Sequence, residues 1–472
     1  MRRGIWRRRH RPLRSAVVAG GVALTAVVAA AMSAAASAAS ATPSASAAAP
    51  SASAPSASAP PASAVSGRAE RTHEVEYFTG PGGHPRHTEV PADTPARLTR
   101  GDRALSAAET AADGDVGSVI ENGPTADKVD VVFVGDGYTA AQQDDFHADV
   151  RSKWAQISAV EPYAAYRNLF NVWSVDAVSN QAGVSGDPSK GVVKDTALDS
   201  YFWCDGTERL LCVDTGKVAS YAAKAPEADL VVVLSNSAKY GGAGYTVSSG
   251  AGYDGIATAS SDHPDSDQVA VHETGHSVGG LADEYVYAAN GTYTGAEPGE
   301  PNATKLTAAQ LTAEKRKWYR WIGQTSPDGG TVGAYEGSRY YPKGLNRPTE
   351  NSIMRTLGRE YSLPGREAMI AGFYRHASVL SSRTRTGASV ARAANLKVSV
   401  SKAASLRWYV DGAEVTAARG KKTVTPASLG VPSDGRPHTV TAKAADTTRA
   451  VKDPALRKLL TASRTWKVPG AS

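Results

Sequence analysis

Apolar runs that alternate with an amphipathic helix predict an α/β domain between residues 116 and 385. Strands are predicted at 129–134, 171–175 and 229–235, where branched or aromatic residues stand together and turn residues follow. A helix is predicted from Thr139 to about Ser158, before the proline at 162. Strands and helices that alternate in this way favour a sheet covered by helices.

The stretch from 265 to 285 contains the motif His-Glu-x-x-His within a predicted helix. Ser266 or Asp267 is expected to cap that helix, because apolar residues follow at helical spacing. His272 and His276 then lie about 40° apart around the helix axis and roughly 6 Å apart along it, so both imidazoles can bind one metal ion. Glu273 lies beside them, where a carboxylate can accept a proton from a metal-bound water.

A catalytic zinc needs a third protein ligand, and two acidic residues follow the motif. In a continuous helix Asp283 would lie roughly 10 Å beyond His276, too far for a bond of about 2 Å. The adjacent glycines at 279 and 280 allow the chain to turn back. We expect Asp283 to be the third ligand, with Glu284 as the alternative.

A glycine-rich run at 240–247 has two interpretations. Its alternation permits an edge strand above the metal site, to which an extended peptide could add as a further strand. The other interpretation is a glycine-rich loop.

The first 66 residues have the composition of an export signal and a tether. Residues 1–38 combine seven arginines, a small apolar stretch and Ala-x-Ala sites, which predicts a cleaved signal peptide; an uncut membrane anchor is the alternative. Without this segment the formal charge of +6 becomes −1, so the high pI of the whole chain does not indicate nucleic-acid or membrane binding. Residues 39–66 are Ala/Ser/Pro-rich and predict a disordered tether, with cell-wall association as one role.

Two segments flank the predicted catalytic domain. Residues 67–115 begin with an alternating stretch at 72–78 and predict a small β element or a pro-segment. Residues 396–470 contain short alternating runs separated by turns, which predicts a small immunoglobulin-like β-sandwich after a linker. An accessory role for this module rests on analogy.

Cys204 and Cys212 are the only cysteines of the chain. In an exported protein, two cysteines this close in sequence predict one local disulfide. A thiol metal ligand or nucleophile is the competing interpretation, and no histidine lies nearby in sequence to support it.

The chain resembles the IgA-peptidase family of zinc metalloproteases over most of 118–385. The most specific matching residues are His272-Glu273-Thr274-Gly275-His276 and Leu281-Ala282-Asp283-Glu284-Tyr285. Weaker matches are the blocks at 135–139, 166–173, 240–244 and 351–355.

The resemblance implies a metzincin-like catalytic domain with a mixed twisted sheet, an active-site helix and a tight turn that places Met354 beneath the zinc. Two positions depart from the metzincin pattern. In metzincins the third ligand follows the second histidine by six residues, and this chain has Ala282 at that position. Metzincins also have a tyrosine two residues after the turn methionine, where this chain has Thr356. Tyr285 or another donor would therefore have to stabilise the oxyanion.

These features together predict a secreted, monomeric zinc metalloendopeptidase that acts on protein or peptide substrates and binds neither nucleic acid nor membrane after signal cleavage. Zn²⁺ is the expected cofactor. One alternative is a secreted binding or adhesion protein with a structural zinc site. The other is a zinc amidase or esterase, which would share the chemistry.

Overall fold

The computed structural model describes residues 71–95, 98, 104–246, 255–402 and 404–470. The predicted signal peptide at 1–38 and the predicted tether at 39–66 lie outside these residues. Residues from Gly67 to Ser472 belong to one compact unit. In the part of the chain that is described, no helix is both long and apolar enough to cross a membrane.

Eight strands form one large mixed sheet in the order β2-β1-β7-β8-β6-β4-β5-β3. Their bounds are β1 Thr72–Phe78, β2 Pro85–Pro91, β3 Val116–Ile120, β4 Val129–Asp136, β5 Phe170–Val175, β6 Leu230–Ser235, β7 Gly242–Tyr245 and β8 Ile256–Ser260. The central strands β5, β4, β6 and β8 pair in parallel, while β3, β7, β1 and β2 join in antiparallel pairs. The three strands predicted from apolar runs are β4, β5 and β6. They are buried along their whole length, as expected of strands covered on both faces.

Seven α-helices lie within the described residues: α1 Ala107–Ala112, α2 Gln143–Ile157, α3 Tyr163–Tyr166, α4 Thr215–Ala222, α5 Asp267–Ser277, α6 Ala308–Glu314 and α7 Leu363–His376. The predicted helix after Thr139 begins with a short 3₁₀ turn, Ala140–Gln142, and continues as α2. Thr139 and Gln142 form a capping box at the start of that turn.

Helix α5 carries the His-Glu-x-x-His motif and packs against β8, β7 and α2. The prediction that Ser266 or Asp267 caps α5 with its side chain is wrong. No side-chain hydrogen bond caps the first turn, and the Ser266 hydroxyl donates instead to the carbonyl oxygen of Gly241 at 3.3 Å. The start of α5 is thus tied to the residue that precedes β7.

The glycine-rich run forms a strand, β7, but this strand is not an edge of the sheet. It pairs with β8 on one side and with β1 on the other. The β element predicted within 67–115 is the hairpin of β1 and β2, and β1 covers the edge of β7 that the sequence suggested was open.

Ten short strands follow in the second half of the described chain: β9 Tyr335–Ser338, β10 Tyr341–Arg347, β11 Leu380–Ser381, β12 Leu396–Lys397, β13 Ser399–Val400, β14 Ala404–Val410, β15 Ala413–Glu414, β16 Thr423–Val424, β17 His438–Asp446 and β18 Thr461–Val468. Four of them form an antiparallel sheet in the order β15-β14-β17-β18. Trp408 and Trp466 are fully buried on it, with ring centroids 6.0 Å apart.

Apolar residues of the C-terminal region share one hydrophobic core with those of the predicted catalytic domain. Tyr374 of α7 donates a hydrogen bond of 2.7 Å to Asp446 of β17, and Asp127 forms an ion pair with Arg464 of β18. The two regions are therefore firmly joined. The sandwich arrangement and the boundary at 385–396 stay predictions.

Candidate metal centre and active site

Helix α5 ends at Ser277, and the chain then turns back over it. Gly280 has a positive φ of 60°, which favours glycine, and the N–H of Leu281 donates to the carbonyl oxygen of Gly275 at 3.0 Å. A β carbon at Gly279 would lie only 2.7 Å from that same carbonyl oxygen. The glycine pair thus allows the reversal that the sequence predicted, and the reversal brings Asp283 back to the histidines.

Four side chains converge where the chain returns: Glu76, His272, His276 and Asp283. The Nε2 atoms of the two histidines are 3.1 Å apart. Oδ1 of Asp283 lies 3.2 Å from Nε2 of His272 and 3.3 Å from Nε2 of His276. Each of these two nitrogens also has an oxygen of Glu76 at 3.3 Å. This cluster could hold a metal ion.

Hydrogen bonds to backbone carbonyls orient both imidazoles. Nδ1 of His272 donates to the carbonyl oxygen of Ile353 at 2.9 Å, and Nδ1 of His276 donates to that of Leu281 at 2.8 Å. Because Nδ1 carries the proton in each ring, the Nε2 lone pairs of the neutral rings face each other and the carboxylates. This is the tautomer that metal-binding histidines adopt, and the donors in the cluster fit a cation.

The two carboxylates of the cluster also make a positive charge between them favourable, as the pKa values of the histidines show. Burial lowers the pKa of His272, but the carboxylates of Glu76 and Asp283 outweigh it and raise the pKa to about 10. The pKa of His276 is raised well above its ordinary value in the same way. Burial opposes ionisation of Asp283, yet the two imidazoles hold the pKa of this carboxyl well below its usual range.

Asp283, rather than Glu284, reaches the histidines. The Glu284 side chain is buried on the other side of the backbone, where it accepts hydrogen bonds from Ser352 at 2.7 Å and Asn302 at 3.0 Å. Its own N–H donates to the carbonyl oxygen of Met354 at 2.8 Å. Glu284 therefore anchors the returning chain. Its carboxylate is bonded to Ser352 and Asn302 and is not part of the cluster.

Glu273 lies next to the cluster against β7. A β carbon at Gly244 would stand 1.8 Å from Oε2 of Glu273, so the carboxylate occupies space that only glycine leaves free. Oε1 is buried and has no hydrogen-bond partner among the described residues. Burial, followed by the nearby charge of Glu76, raises the pKa of Glu273 to about 8.

Two tyrosines close the far side of the cluster. The Tyr285 hydroxyl donates to Oε1 of Glu76 at 2.9 Å, and the Tyr340 hydroxyl donates to Oδ2 of Asp283 at 2.6 Å. Burial and the neighbouring carboxylates raise the pKa of both phenols, so each keeps its proton and remains a donor. A cleft of about 280 Å³ opens beside them, lined in part by Glu76, Tyr245, Glu273, His276, Asp283 and Tyr340.

Met354 lies directly beneath α5. It is buried in a turn in which the N–H groups of Arg355 and Thr356 donate to the carbonyl oxygen of Ser352. A β carbon at Gly275 would lie 2.5 Å from the Met354 sulfur, so the helix packs on the thioether through a glycine. The same turn supplies the carbonyl of Ile353 that orients His272.

Cys204 and Cys212 form the predicted disulfide. The loop that it closes packs next to β7 and β8: Thr258 donates to the carbonyl oxygen of Leu211 at 2.8 Å, and Val213 donates to the Tyr245 hydroxyl at 3.1 Å. The cysteines are therefore excluded as thiol ligands, and the disulfide supports the strands next to the cluster.

The sequence predictions omitted Glu76 and Tyr340. The alternation of 72–78 indicated a strand, but nothing local showed that this strand would pair with β7 and bring Glu76 to the histidines. Tyr340 has a positive φ of 70°, as does the preceding Arg339 at 50°, and this unusual backbone directs the phenol to Asp283. No sequence signal identified either contact.

Taken together, a mixed α/β sheet, a His-Glu-x-x-His helix and a cleft beside four side chains that could hold a metal ion are typical of a hydrolytic enzyme. The chain belongs to the IgA peptidase M64 family, whose model matches residues 118–329 and 325–373, more than half of the sequence. Membership implies a peptidase. No curated protein matches the chain.

Proposed function

We propose that this chain is a secreted zinc-dependent endopeptidase that hydrolyses peptide bonds of extracellular proteins. The observation that carries the proposal is the convergence of two oriented imidazoles and Asp283 next to Glu273, one of whose buried carboxylate oxygens has no hydrogen-bond partner in the described part of the chain. A tetrahedron with metal–ligand bonds of about 2.0 Å has edges of about 3.3 Å. The donor atoms of His272, His276 and Asp283 are 3.1–3.3 Å apart, as such a site requires.

In this proposal His272, His276 and Asp283 hold the zinc. When bound, zinc supplies Lewis-acid polarisation of the substrate carbonyl and lowers the pKa of a bound water. Glu273 accepts the proton of the attacking water and delivers it to the nitrogen of the leaving amine. The water oxygen first bonds to the carbonyl carbon, and the C=O electron pair moves onto the carbonyl oxygen. The C=O bond then re-forms, the C–N bond breaks, and the nitrogen leaves with the proton from Glu273, so the products are a carboxylate and an amine.

Other residues orient these groups or stabilise charge. Tyr340 holds Asp283 through its second oxygen, which leaves Oδ1 for the metal. Tyr285 is the donor for the oxyanion that develops on the substrate. Met354 forms the floor under α5, and we propose that its turn is equivalent to the methionine turn of the metzincins. The C-terminal strands would form an accessory β-sandwich that packs against the catalytic region.

One observation favours the alternative of a binding protein with a structural metal site. Four side chains approach the metal position, and closed sites with four protein ligands are typical of structural zinc. Glu273 argues against this alternative, because a structural site has no use for a further buried carboxylate without a partner. An amidase or esterase would use the same ligands, and only substrates separate it from a peptidase.

Export and partners follow from the N-terminal composition. A signal at 1–38 would direct the chain out of the cell, and the tether at 39–66 would give the enzyme reach or attach it to a cell wall. The substrates would then be extracellular proteins or peptides, and the enzyme would act as a monomer. The family name refers to immunoglobulin A, but no feature of this chain assigns that substrate to it.

The test combines metal analysis with digestion. The purified chain is expected to hold one zinc, measured by inductively coupled plasma mass spectrometry. Casein hydrolysis is measured before and after cleavage of the candidate pro-segment 67–115. Hydrolysis by the processed enzyme should stop when 1,10-phenanthroline removes the metal and should recover when zinc is added back. Sequencing of the cleaved peptides by mass spectrometry then defines specificity. Zinc-loaded, processed chain that cleaves esters but no peptide would contradict the proposal.

A further inference from the structure

The hairpin of β1 and β2 occupies the place where an extended substrate would add to the sheet. Strand β1 runs antiparallel to β7 and pairs Val75 with Tyr245 and Glu76 with Gly244. Gly244 is the residue whose missing side chain makes room for Glu273. A peptide bound beside Glu273 would need the same backbone groups of β7, since strand addition uses the free edge of a sheet. β1 and substrate therefore exclude each other.

Glu76 extends from this strand to the metal position. Its side chain is 4% exposed, and its two oxygens lie 3.3 Å from the Nε2 atoms of His272 and His276. A catalytic zinc takes three protein ligands and keeps one position for water. With His272, His276 and Asp283 as ligands, Glu76 would be the fourth donor and would take the position of that water.

Glu76 also engages the proposed oxyanion donor. The Tyr285 hydroxyl is committed to Oε1 of Glu76 at 2.9 Å, so this phenol is available to a substrate only when Glu76 leaves. One strand thus blocks the β7 edge, the water position and the Tyr285 hydroxyl together.

The hairpin of β1 and β2 lies outside the residues that the family model matches. The family match begins at residue 118, so it includes the histidines, Asp283, Tyr285 and Tyr340 but excludes Glu76. β1 forms seven register pairs with β2 but only two with β7. Side chains hold the hairpin to the rest of the protein. Val75, Tyr77 and Val90 belong to a hydrophobic core that includes Tyr245, Phe78 packs with Val269 and Leu357, and Thr88 donates to Asp205 at 2.7 Å. The hairpin is at one end of the sheet, so it can leave without breaking the pairing of any other two strands.

We propose that residues 72–91 form an inhibitory segment that fills the substrate site and ligates the metal through Glu76, and that proteolytic removal of this segment activates the enzyme. The proposal rests on the proposed function. It makes the protein a zymogen whose activating cut falls on the C-terminal side of β2.

The first test compares zinc-loaded wild-type chain with Glu76→Ala and with the control Glu89→Ala, which removes an exposed acid from the paired strand β2 of the same hairpin. Acetohydroxamate binding is measured by calorimetry, because a hydroxamate needs an open metal position. Glu76→Ala should bind it about tenfold more tightly or better, since a ligand that competes for the site lowers apparent affinity. The d–d absorption of the cobalt-substituted protein should change in Glu76→Ala alone.

The second test leaves Glu76 intact. A recognition site for a sequence-specific protease is inserted after the exposed Ala104, the chain is cut, and gel filtration with intact-mass analysis measures how much hairpin remains. Hydroxamate affinity and casein hydrolysis should rise together as the hairpin is lost.

The outcomes separate the two proposals. Equal hydroxamate affinity in all variants would show that Glu76 does not occupy the metal position. Loss of zinc and activity in Glu76→Ala and in the cut chain would instead make Glu76 a permanent ligand. Either result would overturn the inhibitory role while leaving a metal enzyme. Failure of every form to bind zinc or to hydrolyse casein, cut or uncut, would overturn the proposed function and the inference with it.

Discussion

Gly244 of β7 lies directly against the carboxylate of Glu273, since a β carbon at Gly244 would stand 1.8 Å from Oε2. The motif helix and the sheet therefore meet closely at a position where β7 has no side chain. This contact holds the Glu273 carboxylate in the wall of the cleft, next to the place where a peptide paired with β7 would lie. The position of the proposed base depends on a glycine that is distant in sequence.

Gly244→Ala should impair hydrolysis without removing the metal. The new methyl group must displace the Glu273 carboxylate, and a misplacement of this size at a reacting group can reduce activity about a hundredfold. Activity of the processed enzyme and zinc content are measured together. Gly255→Ala is the control, because its β carbon would meet its nearest neighbour at an ordinary 3.5 Å. Equal activity of the two variants would contradict the contact.

Glu273→Gln should keep zinc and lose catalysis. The amide has nearly the same shape but cannot accept the proton of the attacking water, and loss of such a base typically costs about 10²–10⁴-fold in rate. The kcat of the processed enzyme is compared with zinc stoichiometry. Full activity in this variant would exclude Glu273 as the base.

Asp283→Ala and Glu284→Ala should have opposite consequences. Asp283→Ala removes the oxygen that lies 3.2–3.3 Å from both histidines and should lose most of the bound zinc. Glu284→Ala should keep zinc but unfold more easily, by about 1–3 kcal/mol, because it leaves the buried groups of Ser352 and Asn302 without their acceptor. Zinc analysis and urea unfolding check both, and the reverse pattern would make Glu284 the ligand.

Tyr340→Phe tests the orientation of Asp283. The lost hydroxyl donates at 2.6 Å to the Asp283 oxygen that faces away from the histidines. Groups that orient a metal ligand in this way typically contribute about tenfold to a hundredfold in metal affinity or activity. Zinc affinity is measured by competition with a chromogenic chelator. Tyr293→Phe, a change at an exposed hydroxyl outside the cluster, is the control and should not alter it.

The double variant Cys204→Ala/Cys212→Ala should be less stable but still bind zinc. The disulfide closes a loop with a sequence separation of 8, and the chain entropy that such a short loop removes is worth about 2–3 kcal/mol. Urea unfolding and zinc content are compared with wild type. Loss of zinc in the folded variant would show that the loop has a larger influence on the cluster than its position beside β7 and β8 suggests.

Sequence alone determined the parts of this protein that arise from local periodicity. Apolar runs identified β4, β5 and β6, because a strand buried on both faces must be apolar throughout. The spacing of His272 and His276 placed two imidazoles on one helix face, since four residues make little more than one turn. The glycine pair indicated the reversal that returns Asp283.

Only the tertiary structure decided which residues from distant segments complete the site. The choice of Asp283 over Glu284 depended on hydrogen bonds from Asn302 and Ser352, which hold Glu284 in the interior. Glu76 and Tyr340 enter through strand pairing and an unusual backbone conformation, and neither leaves a periodic signal. Helical spacing is encoded by neighbours in the chain, whereas the partner of a strand edge is set by the free energy of the whole folded sheet.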